Sequence, residues 1–315
     1  MDDAGMTLGQ SLLNCANYRY SESPMSKRIQ YLKTDRGELP MYAEGIVEQD
    51  WDSYTDTDHA VWKQLFERQS ALLPGRACAE FMTGLNALKL GPDQIPKFSE
   101  ANKVLRAKTG WELVAVEGLL PDLRFFELLS AKQFPVTWWI REPEQIDYIS
   151  EPDLFHDFFG HVPLLANPIF GDYLQAYGAG GVKAAGLDAL GFLARLYWYT
   201  VEFGLIQTPE GLRIYGAGIV SSKGESLYSL ESPAPNRIGF DLLRLMRTRY
   251  RIDTYQQSYF VIDSFKQLFD ATEPDFTGYY TALQAQTALG AGAIAPGDKI
   301  LQRGSGEGWV LEGDV

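Results

Sequence analysis

Residues 151–165 read EPDLFHDFFGHVPLL, and two of the three histidines in the chain, His156 and His161, fall inside this one stretch. Phe155, Phe158, Phe159 and Leu164 surround them, so both imidazoles are expected to sit against apolar side chains. A lone histidine in such a setting is usually a hydrogen-bonded core residue. Two together have ring nitrogens to satisfy at one place, and a shared metal ion does so directly. On an unbroken α-helix, residues five apart point about 140° away from each other, at roughly 100° per residue. The flanking residues offer a way round this. Ser150 and Asp153 have the spacing of a capping box and Pro152 suits a first turn, which predicts a helix over Asp153–Phe159. Gly160 and Pro163 then mark its end, freeing His161 to swing back towards His156.

Two imidazoles need a further ligand. Glu151, Asp153 and Asp157 lie on the expected first turn or beside the histidines, where capping and solvation account for them. Glu202 lies in FLARLYWYTVEFGLI (192–206), an otherwise apolar helix. A carboxylate buried there costs several kcal/mol unless it is neutralised. Arg195 is an alternative partner, but two turns of helix set it about 10 Å away. His156, His161 and Glu202 are therefore the expected metal ligands and catalytic centre. Two histidines and one carboxylate leave coordination positions open, as in non-haem Fe(II) oxygenases. Zinc hydrolysis with the same ligands is the alternative, weakened by the lack of an obvious second carboxylate as general base.

The 315 residues are 45% hydrophobic and 22% charged, the balance of a globular chain with a full core. Most of the 17 Tyr, 17 Phe and 7 Trp are expected in that core. The net charge of −13 excludes a surface for nucleic acid or anionic membrane, both of which need clustered Lys and Arg. Cys15 and Cys78 are the two cysteines, far apart, which points to a reducing, cytoplasmic setting. The acidic start MDDAGMTLGQSLLNC lacks the features of a signal peptide, and the apolar stretch 184–206 carries Asp188, Arg195 and Glu202, which rules it out as a membrane span. Helical spacing predicts helices in HAVWKQLFERQSALL (59–73) and at about 78–90, 95–109, 122–131, 240–246 and 264–271. PVTWWI (135–140) suits a short strand, and a hairpin is expected over Gly204–Ser222, around LRIYGAGIV. The fold class expected is mainly α with short peripheral β-hairpins: one domain over 29–288, a flexible leader over 1–28, and a flexible Gly-rich tail over 289–315. Neither a dinucleotide-binding glycine motif nor a P-loop is present.

The motifs are also specific as a set. EPDLFHDFFGHVPLL, LARLYWYTVEFGL (193–205) and RIYGAGIVSSKGE (213–225) resemble the pterin-dependent aromatic amino acid hydroxylases, most closely their short bacterial phenylalanine-hydroxylating members. TDTDHAVWKQLFERQ (55–69) and PVTWWIREPEQIDYISEPD (135–153) belong to the same pattern, and the resemblance runs from about Ile29 to Phe276. It implies a single hydroxylase-type catalytic domain holding Fe(II) through His156, His161 and Glu202. It also implies the reaction of L-phenylalanine, O2 and a tetrahydropterin (tetrahydrobiopterin) to L-tyrosine and a 4a-hydroxypterin. Arg141 matches the arginine that grips the amino acid carboxylate, and Pro152, Trp198, Phe203 and Ser221 match residues around the amino acid. Phe125 matches the ring that stacks on the pterin, with Gly118, Leu119 and Leu120 beside it and Ala194 and Tyr197 on the facing helix. A tryptophan or tyrosine hydroxylase, or a metal-bound amino acid sensor without turnover, stays open as an alternative. The larger animal members carry a regulatory domain and an oligomerisation helix for which this chain has no matching segment, so a monomer is expected.

Overall fold

Thr55 opens helix α1 (Asp56–Leu72) with a reciprocal cap: its hydroxyl accepts from the Asp58 N–H while the Asp58 carboxylate accepts from the Thr55 N–H. The computed structural model describes residues 46–147, 149 and 151–309, preceded by the backbone of a hairpin, β1 (Tyr31–Thr34) and β2 (Gly37–Pro40). The expected leader 1–28 and the expected cap at Ser150 lie outside the described residues.

Helices α2 (Ala79–Ala87) and α3 (Phe98–Lys108) follow α1, close to the expected spans. Next comes a crossover unit of which the sequence reading held the helix and the second strand, but neither the first strand nor their parallel pairing. Strand β3 (Glu112–Val116) pairs in parallel with β4 (Gln133–Thr137), and α4 (Asp122–Ser130) is the crossover between them. The strand expected at 135–140 is thus shifted towards the N-terminus. The region 151–202 is helical almost throughout: a π-helical turn over Phe155–His161, α5 (Val162–Leu165), α6 (Pro168–Ala185), α7 (Leu190–Tyr197), and a second π-helical turn over Trp198–Glu202.

The expected hairpin forms as β5 (Leu205–Thr208) and β6 (Gly211–Ile214), while Ala217–Val220 turns into the short helix α8 rather than extending the strand. After α9 (Lys223–Glu231), β7 (Asn236–Gly239), α10 (Leu242–Met246) and β8 (Ser258–Ile262) complete a five-stranded mixed sheet with β9 (Ile300–Gln302), in the order β6-β5-β8-β7-β9. The strands are short, as expected. β7 and β8, however, are buried along their whole length, because helices cover the sheet. Helices α11 (Phe265–Thr272) and α12 (Thr277–Gln284) precede β9. The expected flexible tail differs over 289–309. Leu289 bridges to Thr248, β9 pairs antiparallel with β7, and Arg244 binds Asp298 at 2.7 Å. Glycine and proline punctuate this segment as turns, and the hydrogen-bond needs of β7 hold it in place.

The core is aromatic, as the composition implies. Trp62 and Phe66 of α1 pack edge-on against Phe155 and Phe159, which stack on each other with centroids 4.8 Å apart. These contacts hold the histidine-bearing turn against α1. On the opposite side α4 and α6 approach closely, and glycine makes this possible. A Cβ at Gly181 would enter the ring of Phe126, and one at Gly178 would strike Leu129 and Ser130. Gly181→Ala is therefore expected to destabilise the protein by about 1–3 kcal/mol, the usual range for overpacking. Chemical denaturation should show this as a lower midpoint at unchanged slope.

Candidate active site

The five-residue spacing of the histidines is resolved by a change of helix type. No helix end forms at Gly160. Phe155–His161 widens into a π-helix that runs directly into α5. A π-helix bonds residue i to i+5, so side chains five apart come round to one face. The two imidazoles accordingly meet edge to face, with centroids 5.1 Å apart. A second π-helical turn does the same for the carboxylate: the Phe203 N–H bonds the Trp198 carbonyl at 2.8 Å, and Glu202 is turned inward. Glu202 then lies 3.2 Å from Nε2 of His161 and 3.5 Å from Nε2 of His156. Arg195, the alternative partner in the sequence reading, instead donates to the Met246 carbonyl.

This trio fits a metal ion. One donor atom from each residue lies within 4.8 Å of the others. Proton counting fixes the state of His156. Ser221 gives its one hydroxyl proton to the Ala217 carbonyl at 2.7 Å, so towards His156 it can only accept. Nδ1 of His156, 3.0 Å from the Ser221 oxygen, therefore carries the hydrogen, and Nε2 is left as a bare lone pair facing Glu202. Burial alone would push the Glu202 carboxyl up, and positive charge set against it, from the imidazoles when protonated or from a cation between them when neutral, holds it below its ordinary range.

Two carboxylates read as capping or solvated do more than that. Asp153 is fully buried and caps the turn by accepting from the His156 N–H at 3.0 Å. It also grips Arg141 through Nε at 2.8 Å and Nη2 at 2.9 Å. Burial would raise the Asp153 carboxyl, but the Arg141 bonds and charge outweigh it and keep it low. Arg141 is correspondingly buried, 5% exposed, rather than a surface residue. Asp157 accepts from the Thr137 N–H at the end of β4, and burial pushes its carboxyl up. A local reading of 151–157 could not see these partners, because they come from β4 and the loop after it.

The residues that the resemblance singles out line one cavity of about 620 Å³. His156, His161 and Glu202 are in its wall, with Arg141, Pro152, Trp198, Phe203 and Ser221. So are Gly118, Leu119, Leu120 and Phe125, at the carboxyl end of β3 and the start of α4, and Ala194 and Tyr197 on α7. The mouth of a crossover unit is a common ligand position. Phe125 meets Tyr197 edge-on at 5.6 Å, and Trp198 lies between Phe203 at 4.7 Å and Tyr250 at 4.4 Å. Tyr250, Gln256 and Glu225 are wall residues that the sequence reading missed. Glu225 carried one usable signal, a carboxylate three residues after the helix cap at Ser222.

Replacing His156, His161 or Glu202 with Ala should abolish stoichiometric iron binding, measured by metal analysis after desalting. Ser221→Ala, which frees the His156 tautomer, should weaken iron by about 10- to 100-fold, the usual effect of removing a ligand's hydrogen-bond partner. Unchanged iron affinity in Ser221→Ala would remove the tautomer-fixing role.

Comparison with known proteins agrees with this geometry. The model of the biopterin-dependent aromatic amino acid hydroxylase family matches residues 47–284. The chain is 62% identical over 264 residues to a phenylalanine-4-hydroxylase of Chromobacterium violaceum, covering 84% of this chain and 89% of that one. It is 61% identical over 269 residues to a phenylalanine-4-hydroxylase of Ralstonia nicotianae, covering 85% and 86%. The crystal structure of the C. violaceum phenylalanine hydroxylase bound to cobalt superposes with a TM-score of 0.84 at 57% identity, over 90% of this chain and 100% of that one. The iron- and phenylalanine-bound structure from the same organism gives 0.80 at 56% identity, over 89% and 100%. With three-quarters of its length matched and two imidazoles and a carboxylate converging in a single cavity, the chain belongs to the biopterin-dependent aromatic amino acid hydroxylases.

Proposed function

We propose that this protein is a phenylalanine 4-monooxygenase: L-phenylalanine, O2 and a tetrahydropterin give L-tyrosine and a 4a-hydroxypterin. One oxygen atom enters the ring, the other goes to the pterin, and the pterin supplies two electrons. The observation that carries this reading is the meeting of an open two-histidine, one-carboxylate site with a buried arginine and an aromatic wall in one cavity. Fe(II), held by His156, His161 and Glu202, would supply the activation of O2. The alternative of tryptophan or tyrosine as substrate uses the same chemistry and is separated by the assay below.

The chain's own residues supply the positioning. Asp153 takes Nε and Nη2 of Arg141 and fixes the guanidinium plane, which leaves Nη1 for a ligand carboxylate. Trp198, Phe203 and Pro152 offer apolar surface to the ring of the amino acid. The Trp198 indole is pinned by its N–H to Gln256 at 2.9 Å and by the Tyr250 ring, so this wall is rigid before substrate arrives. Phe125 presents a face for the pterin, backed by Tyr197, with Gly118, Leu119 and Leu120 providing backbone and Ala194 leaving room on α7. Ser221 keeps Nε2 of His156 available for ligation.

The chain is further proposed to act as a cytoplasmic monomer, on the strength of its acidity and sparse cysteines. Among the described residues no helix is long and apolar enough to cross a membrane.

Reconstitution with Fe(II) and tetrahydropterin should convert L-phenylalanine to L-tyrosine, with one label from ¹⁸O2 in the ring. Faster turnover of tryptophan or tyrosine would transfer the proposal to that amino acid. In the same assay Phe125→Ala should raise the pterin KM by about 2- to 10-fold, the scale of an aromatic contact, with the amino acid KM little changed. Equal rises in both would count against stacking. Light scattering of the same preparation should give the mass of one chain, and a dimer mass would overturn the monomer.

A further inference from the structure

Glu225 is a carboxylate in the cavity wall that the proposed chemistry leaves unused. It is 4% exposed and sits on the first turn of α9, four residues after Ser221. Its partners are neutral: Oε1 accepts from the Tyr259 hydroxyl and from the Gln256 N–H. Among the described residues Oε2 has no partner. The other acidic side chains lining the cavity are differently placed. Asp147 is held by Arg68 at 2.7 Å and Asp253 by Arg251 at 2.6 Å, Asp157 and Glu202 stand at the histidines, and Asp122 and Glu151 have interactions of their own. Glu225 is thus a preoriented carboxyl whose charged form is met by dipoles alone. Burial pushes its carboxyl up to about 7, and the bonds from Tyr259 and Gln256 offset this only in part.

An α-amino acid enters such a cavity as a zwitterion. Its carboxylate has a guanidinium to meet at Arg141. Its ammonium group, once removed from water, costs several kcal/mol unless an anion receives it. Resting on the proposed function, we propose that Glu225 receives the α-ammonium group of the bound aromatic amino acid, as Arg141 takes the carboxylate. Gln256 and Tyr259 act here as positioning residues. Gln256 joins the two halves of the subsite, because its side chain holds the Trp198 indole while its backbone N–H holds Glu225. A change at the aromatic wall is thereby tied to the ammonium acceptor. The arrangement requires both charges of the zwitterion, so the site selects amino acids over arylalkanoic acids.

The test uses the Fe(II)-loaded enzyme with tetrahydropterin, kept anaerobic, and calorimetric titration with L-phenylalanine and with 3-phenylpropanoate, which lacks only the amino group. Wild type should bind the amino acid about 10- to 100-fold more tightly, the scale of a hydrogen bond between charged groups. Glu225→Gln, equal in shape, should lose most of that factor for L-phenylalanine and leave 3-phenylpropanoate within about twofold. Glu225→Asp, which keeps the charge, should restore part of the discrimination. Equal affinity of wild type for both ligands, or an equal loss of both in Glu225→Gln, overturns the proposal, and the wild-type comparison needs no variant to fold. Turnover of each aromatic amino acid by wild type, measured in parallel, tests the proposed function separately. Should another ring be the substrate, that amino acid and its deaminated counterpart make the pair.

Discussion

A carboxylate buried between two imidazoles is stable only when positive charge is present among them, and the structure is organised around that requirement at Glu202, His156 and His161. Each of the two chain segments involved abandons α-helical geometry at the point where its histidines or its glutamate face inward. A π-helical turn is poorer in hydrogen bonding than the α-helix around it, so it persists where packing makes up the difference. Here the aromatic stack of Phe155 and Phe159 against Trp62 and Phe66 does so for the histidine turn. The glutamate turn is closed by Gly204 and Gly216, which approach so tightly that a Cβ on Gly216 would meet the Glu202 carbonyl. The site is therefore as rigid as the core that makes it.

A second charged layer is built on the first. Asp153 caps the histidine turn through the His156 N–H and, with the same carboxylate, orients Arg141. The proposed metal ligands and the proposed partner of the amino acid carboxylate thus share one buried anchor. Breaking a buried pair of this kind leaves an uncompensated charge, which costs about 3–5 kcal/mol. On the far wall Gln256 plays an equivalent part, tying the Trp198 indole to the Glu225 carboxylate. The cavity can be described as a polar frame of preset hydrogen bonds filled in with aromatic surface.

How much of this was legible depends on the range of each interaction. The histidine pair, the isolated Glu202 and most helices follow from local spacing and from the cost of burying charge, both of which act within a few residues. The helix end inferred at Gly160 was a reasonable remedy for a five-residue spacing, but a change of helical pitch meets the same need without breaking the chain. Strands β3, β7 and β8 were passed over because strands buried on both faces lose the alternation that marks a half-buried one. The segment 289–309 read as linker since its glycines and prolines carry no periodicity, and its order comes from edge pairing with β7 and from Arg244.

Sequence alone was sufficient for the chemical inventory: two imidazoles and a buried carboxylate, a helix-dominated chain, and motifs that place it among the pterin-dependent hydroxylases. Those properties reside in residue type and near-neighbour spacing. Tertiary structure alone decided which carboxylates face which cations, that Asp153 belongs to Arg141 rather than to a solvated turn, and that Glu225 stands in the cavity wall with neutral partners. These depend on contacts between residues distant in the chain, such as Glu225 with Tyr259 and His156 with Ser221. Charge pairing in a low-dielectric interior is set by distance in space, which no local pattern of residues encodes.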